Sequence, residues 1–337
     1  MKRVLITGVA GFLGSHLADV MLARGYEVVG IDDLSHGNVR NLELASQNSQ
    51  FHFHEADVCD IGALRNCASR IDTVVHLAAY KIPRYTTATN TLLVNSQGTL
   101  NMLRIAIEQS ARFVITSTSD VYGKNPVIPF AEDGDSVLGP PTVSRWAYAA
   151  SKLFDEHLVL AMAEDADIYA TVLRIFGSYG PRQNLSWWGG PQSVFIEAIL
   201  RDEVIPIHGD GLQTRSFTFV RDTVRGIAAA AESTQANREI VNIGSSEEIS
   251  IRELAHRLYR LCGKTGPPPI QFIPYQEIAQ RKYEDVRRRV PDIRKAQKLL
   301  DFEATTPLDE GLRETIAWQR PWTTIPDRDN RLVTPAA

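Results

Sequence analysis

The stretch Thr7-Gly8-Val9-Ala10-Gly11-Phe12-Leu13-Gly14 decides the fold. It ends a short apolar run, Arg3–Thr7, and opens an amphipathic one, Phe12–Arg24. Glycines at such a junction allow a tight turn and let a pyrophosphate approach the backbone. The amides of the helix N-terminus then face the anion. A glycine triplet alone describes a structural turn equally well. Its context favours the binding loop, because Asp32 ends the next apolar run. A carboxylate there accepts the two ribose hydroxyls of adenosine and repels a 2′-phosphate. The pattern predicts a dinucleotide cofactor, NAD rather than NADP.

Further apolar runs occur at Glu27–Ile31, Phe51–His54, Thr73–Leu77, Arg112–Thr116 and Tyr169–Leu173. Helical patterns such as Leu92–Glu108 lie between most of them. This alternation predicts an α/β fold with a doubly wound parallel sheet, a Rossmann domain. After about residue 175 the pattern changes, with Pro and Gly clustered at Gly177–Gly190 and Gly263–Pro269. The expected organisation is a cofactor domain over 1–175, to which part of the later chain returns. A smaller C-terminal α/β substrate lobe covers 176–320, and a loose polar tail covers 321–337. The segment Gly177–Gly190 reads as a loop over a site. Its Trp187 and Trp188 suit either a lid or packing on the second lobe.

The 337 residues are 44% hydrophobic and 23% charged, which permits a large core and excludes disorder. A net charge of -4 gives no basic footprint, so nucleic acid is not an expected partner. Cys59, Cys67 and Cys262 are scattered, and read as reduced core thiols of a cytoplasmic protein. No apolar run is long enough to span a bilayer, so no membrane is expected either. An apolar run beginning at Arg3 leaves no room for a signal peptide. His52 and His54 alternate on a predicted strand without further ligands, so no metal site is expected.

Tyr148-Ala-Ala-Ser-Lys152 places a phenol and an ammonium at i and i+4 on one helix face. A solvated helix face would look the same. A cation ~5 Å from a phenol, at an effective dielectric of ~20, contributes about 3 kcal/mol, or about two pKa units. Together with a positive nicotinamide ring, the pair would bring the phenol toward working pH, as a general base requires. Thr118, in Phe113-Val-Ile-Thr-Ser-Thr-Ser-Asp-Val-Tyr-Gly123, leaves a strand end, where an α/β sheet places its ligands.

With these motifs in this order, the chain resembles the extended short-chain dehydrogenase/reductase family, nucleotide-sugar branch, from Val4 to about Trp318. The spacing Gly-x-x-Gly-x-x-Gly is that family's. The resemblance places Asp57 and Val58 beside adenine, and Leu77, Ala78 and Ala79 along the cofactor cleft. Asn95 fits the position that orients the central helix. It implies that Gly8, Gly11, Phe12, Leu13, Gly14 and Asp32 hold NAD. Tyr148 would be the acid/base, Lys152 would hold the nicotinamide ribose, and Thr118 would relay a hydrogen bond. Relatives also pair two helices into a four-helix bundle. Those at about 92–109 and 145–163 here carry apolar residues on more than one face, which predicts a homodimer.

The residues after Thr118 discriminate between reactions within the family. Dehydratases carry Thr-Asp-Glu and UDP-glucuronate decarboxylases carry Thr-Ser-Glu. This chain has Thr118-Ser119-Asp120, similar to the decarboxylase pattern with one methylene less. Arg289, in Arg287-Arg-Arg-Val-Pro-Asp-Ile293, stands two residues before the proline, as in those decarboxylases. Arg287 and Arg288 read as a solvated cationic face. Arg215, in Gln213-Thr-Arg215-Ser-Phe, matches the position that grips the substrate diphosphate, and Arg182 is a further substrate-binding candidate with Ser119. Gly177 stands where most relatives carry Asn. The resemblance implies NAD-dependent decarboxylation of UDP-glucuronate through a 4-ketone, to UDP-xylose and/or a UDP-4-keto-pentose. Thr118, Asp120, Tyr148, Lys152 and Arg289 are its catalytic candidates. The alternative is a UDP-sugar or UDP-uronate 4-epimerase. A non-enzymatic NAD-binding regulator would not need the intact Thr118, Tyr148 and Lys152.

Overall fold

The computed structural model describes residues 1–81, 83, 87–278 and 284–323. Its apolar runs become β1 (Arg3–Thr7), β2 (Glu27–Asp32), β3 (Phe51–Glu55), β4 (Thr73–His76), β5 (Arg112–Thr118) and β6 (Ala170–Ile175). Between them lie α1 (Phe12–Ala23), α2 (Ile61–Cys67), α3 (Ala88–Gln109) and α4 (Trp146–Asp165). The strand Glu239–Ile243 joins β6 at the sheet edge, completing seven strands in the order Glu239–Ile243, β6, β5, β4, β1, β2, β3. Every pairing in this sheet is parallel. This is the doubly wound sheet that the alternation predicts.

Strand side chains alternate between faces, and here both faces are covered. Val4 and Ile6 of β1 join one apolar cluster, which includes Leu17 and Met21 of α1 and Val224 and Ile227 of the helix Val220–Glu232. Leu5 joins the other, with Leu103 and Ala106 of α3 and Val159 of α4. Phe113 and Ile115 of β5 face the second cluster, and Val114 the first.

The later part of the chain adds short strands. Ile205–His208 pairs with Ile270–Ile273, while Thr214–Ser216 lies between Glu248–Ser250 and Arg288–Arg289. The register sets Arg289 directly beside Arg215, and cross-strand partners project to one side of a sheet. Residues 321–323 finish the helix Leu308–Thr323. The rest of the expected tail lies outside the described residues. The three cysteines are free but half-buried, not core residues, because each sits where an element meets solvent. Among the described residues no helix is long and apolar enough to cross a membrane.

One buried ion pair fixes α4 against the sheet. Arg174 of β6 donates through Nε and Nη2 to both carboxylate oxygens of Glu156, at 3.0 and 2.7 Å, and both side chains are 4% exposed. Ser117 of β5 donates to the same carboxylate. Breaking a pair of this kind leaves an uncompensated buried charge. Arg174→Met should lower unfolding free energy by about 3–5 kcal/mol in chemical denaturation. A loss below about 1 kcal/mol would show that the pair holds little.

Candidate active site

The sheet order reverses between β1 and β4, and an open α/β sheet binds ligands beyond the C-terminal strand ends at that point. A cleft of about 590 Å³ lies there. The Thr7 hydroxyl stitches the two strand ends together: it accepts from the amides of Leu77 and Ala78, both at 3.2 Å, and contacts His76 Nδ1 at 2.7 Å. Accepting both amides leaves its own hydrogen for Nδ1. Burial, reinforced by the charge of Lys152, pushes His76 down to about 3, so it is neutral.

Gly8, Gly11, Phe12, Leu13 and Gly14 line the cleft. Gly8 has φ +68, and a Cβ there would lie 2.9 Å from the Ala78 nitrogen. A Cβ on Gly14 would lie 2.1 Å from the Gly8 oxygen. The loop is therefore closed to side chains where a pyrophosphate would sit against backbone amides, so it fits a dinucleotide. Asp32 ends β2 at the same cleft; its carboxylate accepts from Ala10 and Leu34, each at 2.9 Å. Val58, Leu77, Ala78 and Ala79 complete this end of the wall. Two residues expected beside the cofactor are not part of that wall. Asp57 spends its carboxylate on the amide of Cys59, two residues on. Asn95 is 1% exposed and clasps the backbone of Tyr80 while donating to Ser151 Oγ at 3.0 Å. It ties α3 to α4.

Thr118, Ser119, Asp120, Tyr148 and Lys152 line the other end. Thr118 Oγ1 accepts from the Asp120 amide at 3.2 Å, and Thr118 is also hydrogen-bonded to Tyr148. The Tyr148 phenol faces the charges of Asp120 and Arg289. Burial holds it above the ordinary range, the charge of Asp120 adds to this, and the Thr118 hydrogen bond and Arg289 only partly offset them. Lys152 is occupied elsewhere, 3.5 Å from Asp155 Oδ2.

A chain of alternating charges forms the rest of the cleft. Arg289 Nη1 donates to Asp120 Oδ1 at 2.9 Å, and Arg145 Nη2 donates to the same oxygen at 2.7 Å. Arg145 Nη1 continues to Asp285 Oδ1 at 3.0 Å, and Arg215 Nη2 donates to that oxygen at 2.9 Å. Burial alone would raise both carboxyls. Arg289 and Arg145 outweigh it at Asp120, and Arg215, Arg145 and Arg289 at Asp285, so both stay well below the ordinary range. Burial pushes Arg215 down to about 10, still a cation at neutral pH. Arg289 Nε is buried without a partner. Arg182 reaches the cleft but donates to Asp19 of α1 at 2.7 Å. Arg287 and Arg288 pair outward with Asp210 and Glu248, as a solvated face should.

Arg145 and Asp285 are absent from the motif reading. Arg145 stands three residues before Tyr148, a signal the sequence does offer; Asp285 stands in a segment without pattern. Gly177 has φ +42, and a Cβ there would lie 2.1 Å from the Ser216 oxygen. The positive φ and the close approach of the Ser216 oxygen explain glycine at this position. The tryptophans divide their roles. Trp187 stacks on His208 at 3.9 Å, at the end of the strand Ile205–His208, and Trp188 stacks on His36 at 4.7 Å, in the segment after β2. Among the described residues no group of His, Cys, Asp or Glu is arranged to hold a metal ion.

The family model described as GDP-mannose 4,6 dehydratase matches residues 5–315. The chain belongs to that family of extended short-chain dehydrogenase/reductases. It is 35% identical to UDP-N-acetyl-alpha-D-glucosaminuronate decarboxylase of Bacillus cytotoxicus, over 95% of this chain and 98% of the relative. It is 36% identical to UDP-glucuronic acid decarboxylase 1 of Xenopus tropicalis, over 95% of this chain and 72% of that one. Among solved structures, this family member superposes on UDP-glucuronic acid 4-epimerase from Bacillus cereus, in complex with UDP-glucuronic acid and NAD. The TM-score is 0.82 and the identity 30%, covering 95% of this chain and 99% of that one.

Asp120 and Arg145 form one buried unit, so substitutions at the two should not add. A double-mutant cycle of Asp120→Asn and Arg145→Met should give a coupling of about 2 kcal/mol in unfolding free energy. Additivity within about 0.5 kcal/mol would mean that the contact carries no energy.

Proposed function

We propose that the protein is an NAD-dependent decarboxylase of UDP-glucuronate that works through a C4 ketone. The observation that carries this reading is Arg289. It is fixed to Asp120 beside Tyr148, with one buried guanidinium nitrogen left over. A guanidinium with an unused donor suits a second carboxylate, that of the uronate. The decarboxylases among the relatives support it.

The glycine loop and Asp32 would hold the cofactor, with Lys152 at its nicotinamide ribose. When bound, NAD+ supplies the hydride acceptor for C4 and a positive ring near the phenol. Tyr148 takes the proton of the C4 hydroxyl. Thr118, whose oxygen already accepts the Asp120 amide, donates its hydrogen to the phenolate and stabilises it. With C4 oxidised, the substrate carboxylate lies β to a ketone. The C5–C6 bond then breaks with its electron pair delocalised onto the C4 oxygen, carbon dioxide leaves, and C5 takes a proton from water. Asp120 does not give that proton: its arginine partners keep it ionised. It orients Arg289 instead. Arg215 grips the diphosphate, with Ser119 and Arg182 beside the substrate. The product is UDP-4-keto-pentose, or UDP-xylose where the ketone is reduced again.

The second reading is a UDP-uronate 4-epimerase, favoured by the solved neighbours of that activity. Mass spectrometry of UDP-glucuronate incubations separates them. Loss of carbon dioxide is expected, and a product of unchanged mass would mean epimerisation. Tyr148→Phe should abolish turnover and leave NAD bound; activity near wild type would remove Tyr148 from its role.

A homodimer is part of the proposal. Leu92 and Leu93 of α3 and Phe154 of α4 are 40%, 64% and 53% exposed on helices that pack against each other. Pairing these faces with a second copy would cover them. The free, scattered thiols suit a cytoplasmic location. Light scattering at micromolar concentration should give the dimer mass; a monomer mass contradicts it.

A further inference from the structure

Lys152 has a charged neighbour outside every motif. Asp155, one turn farther along α4, sets Oδ2 3.5 Å from Lys152 Nζ, with the two side chains 1% and 3% exposed. Lys152 lines the cleft and Asp155 does not. The carboxylate therefore reaches the chemistry only through the lysine and through its field.

Burying a carboxylate is costly unless a cation and hydrogen bonds compensate it. Lys152 and the Thr99 hydroxyl of α3 supply that compensation. Resting on the reading of Tyr148 as proton acceptor, we propose that Asp155 is a positioning residue: it anchors the Lys152 ammonium on α4, and its negative charge sets the pH at which Tyr148 ionises.

The groups facing Tyr148 bear this out in sign. Asp120 opposes the phenolate, but Arg289 and Arg145 offset that charge. The Thr118 hydrogen bond favours the phenolate. His76 on β4 faces Lys152 and is neutral. Glu156, next to Asp155, is neutralised by Arg174. Asp155 opposes the phenolate along the helix and is offset by Lys152; burial raises its own carboxyl and Lys152 pulls it back. Seven residues of helix separate Asp155 from Tyr148, about 10 Å of rise. A unit charge at that distance and an effective dielectric of about 20 shifts a pKa by about one unit. Removing it makes the phenol more acidic.

The test is a tyrosinate absorbance titration of the NAD-loaded protein, with the same titration of Tyr148→Phe subtracted to isolate one phenol. It needs no substrate, so its outcome is independent of whether uronates are decarboxylated, epimerised or left unchanged. Asp155→Asn should move the Tyr148 transition down by about one pH unit, and Asp155→Glu should leave it near wild type. Asp155→Ala, read in the same way, guards against a folding defect of the amide and should also release NAD more readily, since Lys152 loses its anchor. A Tyr148 transition unmoved in both the Asn and Ala variants overturns the proposal, as does an equal shift in Asp155→Glu.

Discussion

Asp120 receives two guanidinium groups from distant parts of the chain. Arg145 approaches from the start of α4, and Arg289 from the strand Arg288–Arg289. Asp285 then takes the other end of Arg145 and one edge of Arg215. The alternation of signs makes the cluster tolerable in a buried place, since each carboxylate is shared by two cations. It also ties the cleft's two walls together at the point where the reacting sugar would lie. The parallel register of Arg289 with Arg215 is what brings two like charges side by side, and the two aspartates are what make that register affordable.

The consequences reach the phenol. A protein that buries Tyr148 and places an aspartate near it makes the phenolate harder to form. The compensating groups are few: the Thr118 hydroxyl, the residual field of Arg289, and the positive cofactor that the glycine loop is shaped to take. The helix that carries Tyr148 stays in place through Glu156 and Arg174, well behind the reacting groups.

Local features were the ones legible in the sequence. Six strands of the sheet follow from apolar runs, and the cofactor loop from Gly8, Gly11 and Gly14 in their strand-to-helix context. The strand Glu239–Ile243 has too little distinguishing pattern of its own, and is defined by pairing with β6 from across the chain. The same holds at the site. Tyr148, Lys152 and Thr118 carry motif spacing and line the cleft as expected. Asp285 meets Arg145 and Arg215 only because of tertiary folding, 140 and 70 residues away in sequence. At Tyr148, spacing on a helix reveals the lysine, whereas burial and the partner Asp155 are visible only in three dimensions. Asp57 and Asn95 show the converse, motif positions whose side chains serve the backbone.

The central claim is that Arg289, held by Asp120, is the receiver of a uronate carboxylate. It is tested most directly by a crystal structure of the Tyr148→Phe protein with NAD and UDP-glucuronate. The account predicts the sugar carboxylate within hydrogen-bond distance of Arg289, with Asp120 still bridged to Arg145. A carboxylate bound by other groups, with Arg289 turned away toward solvent, would contradict it.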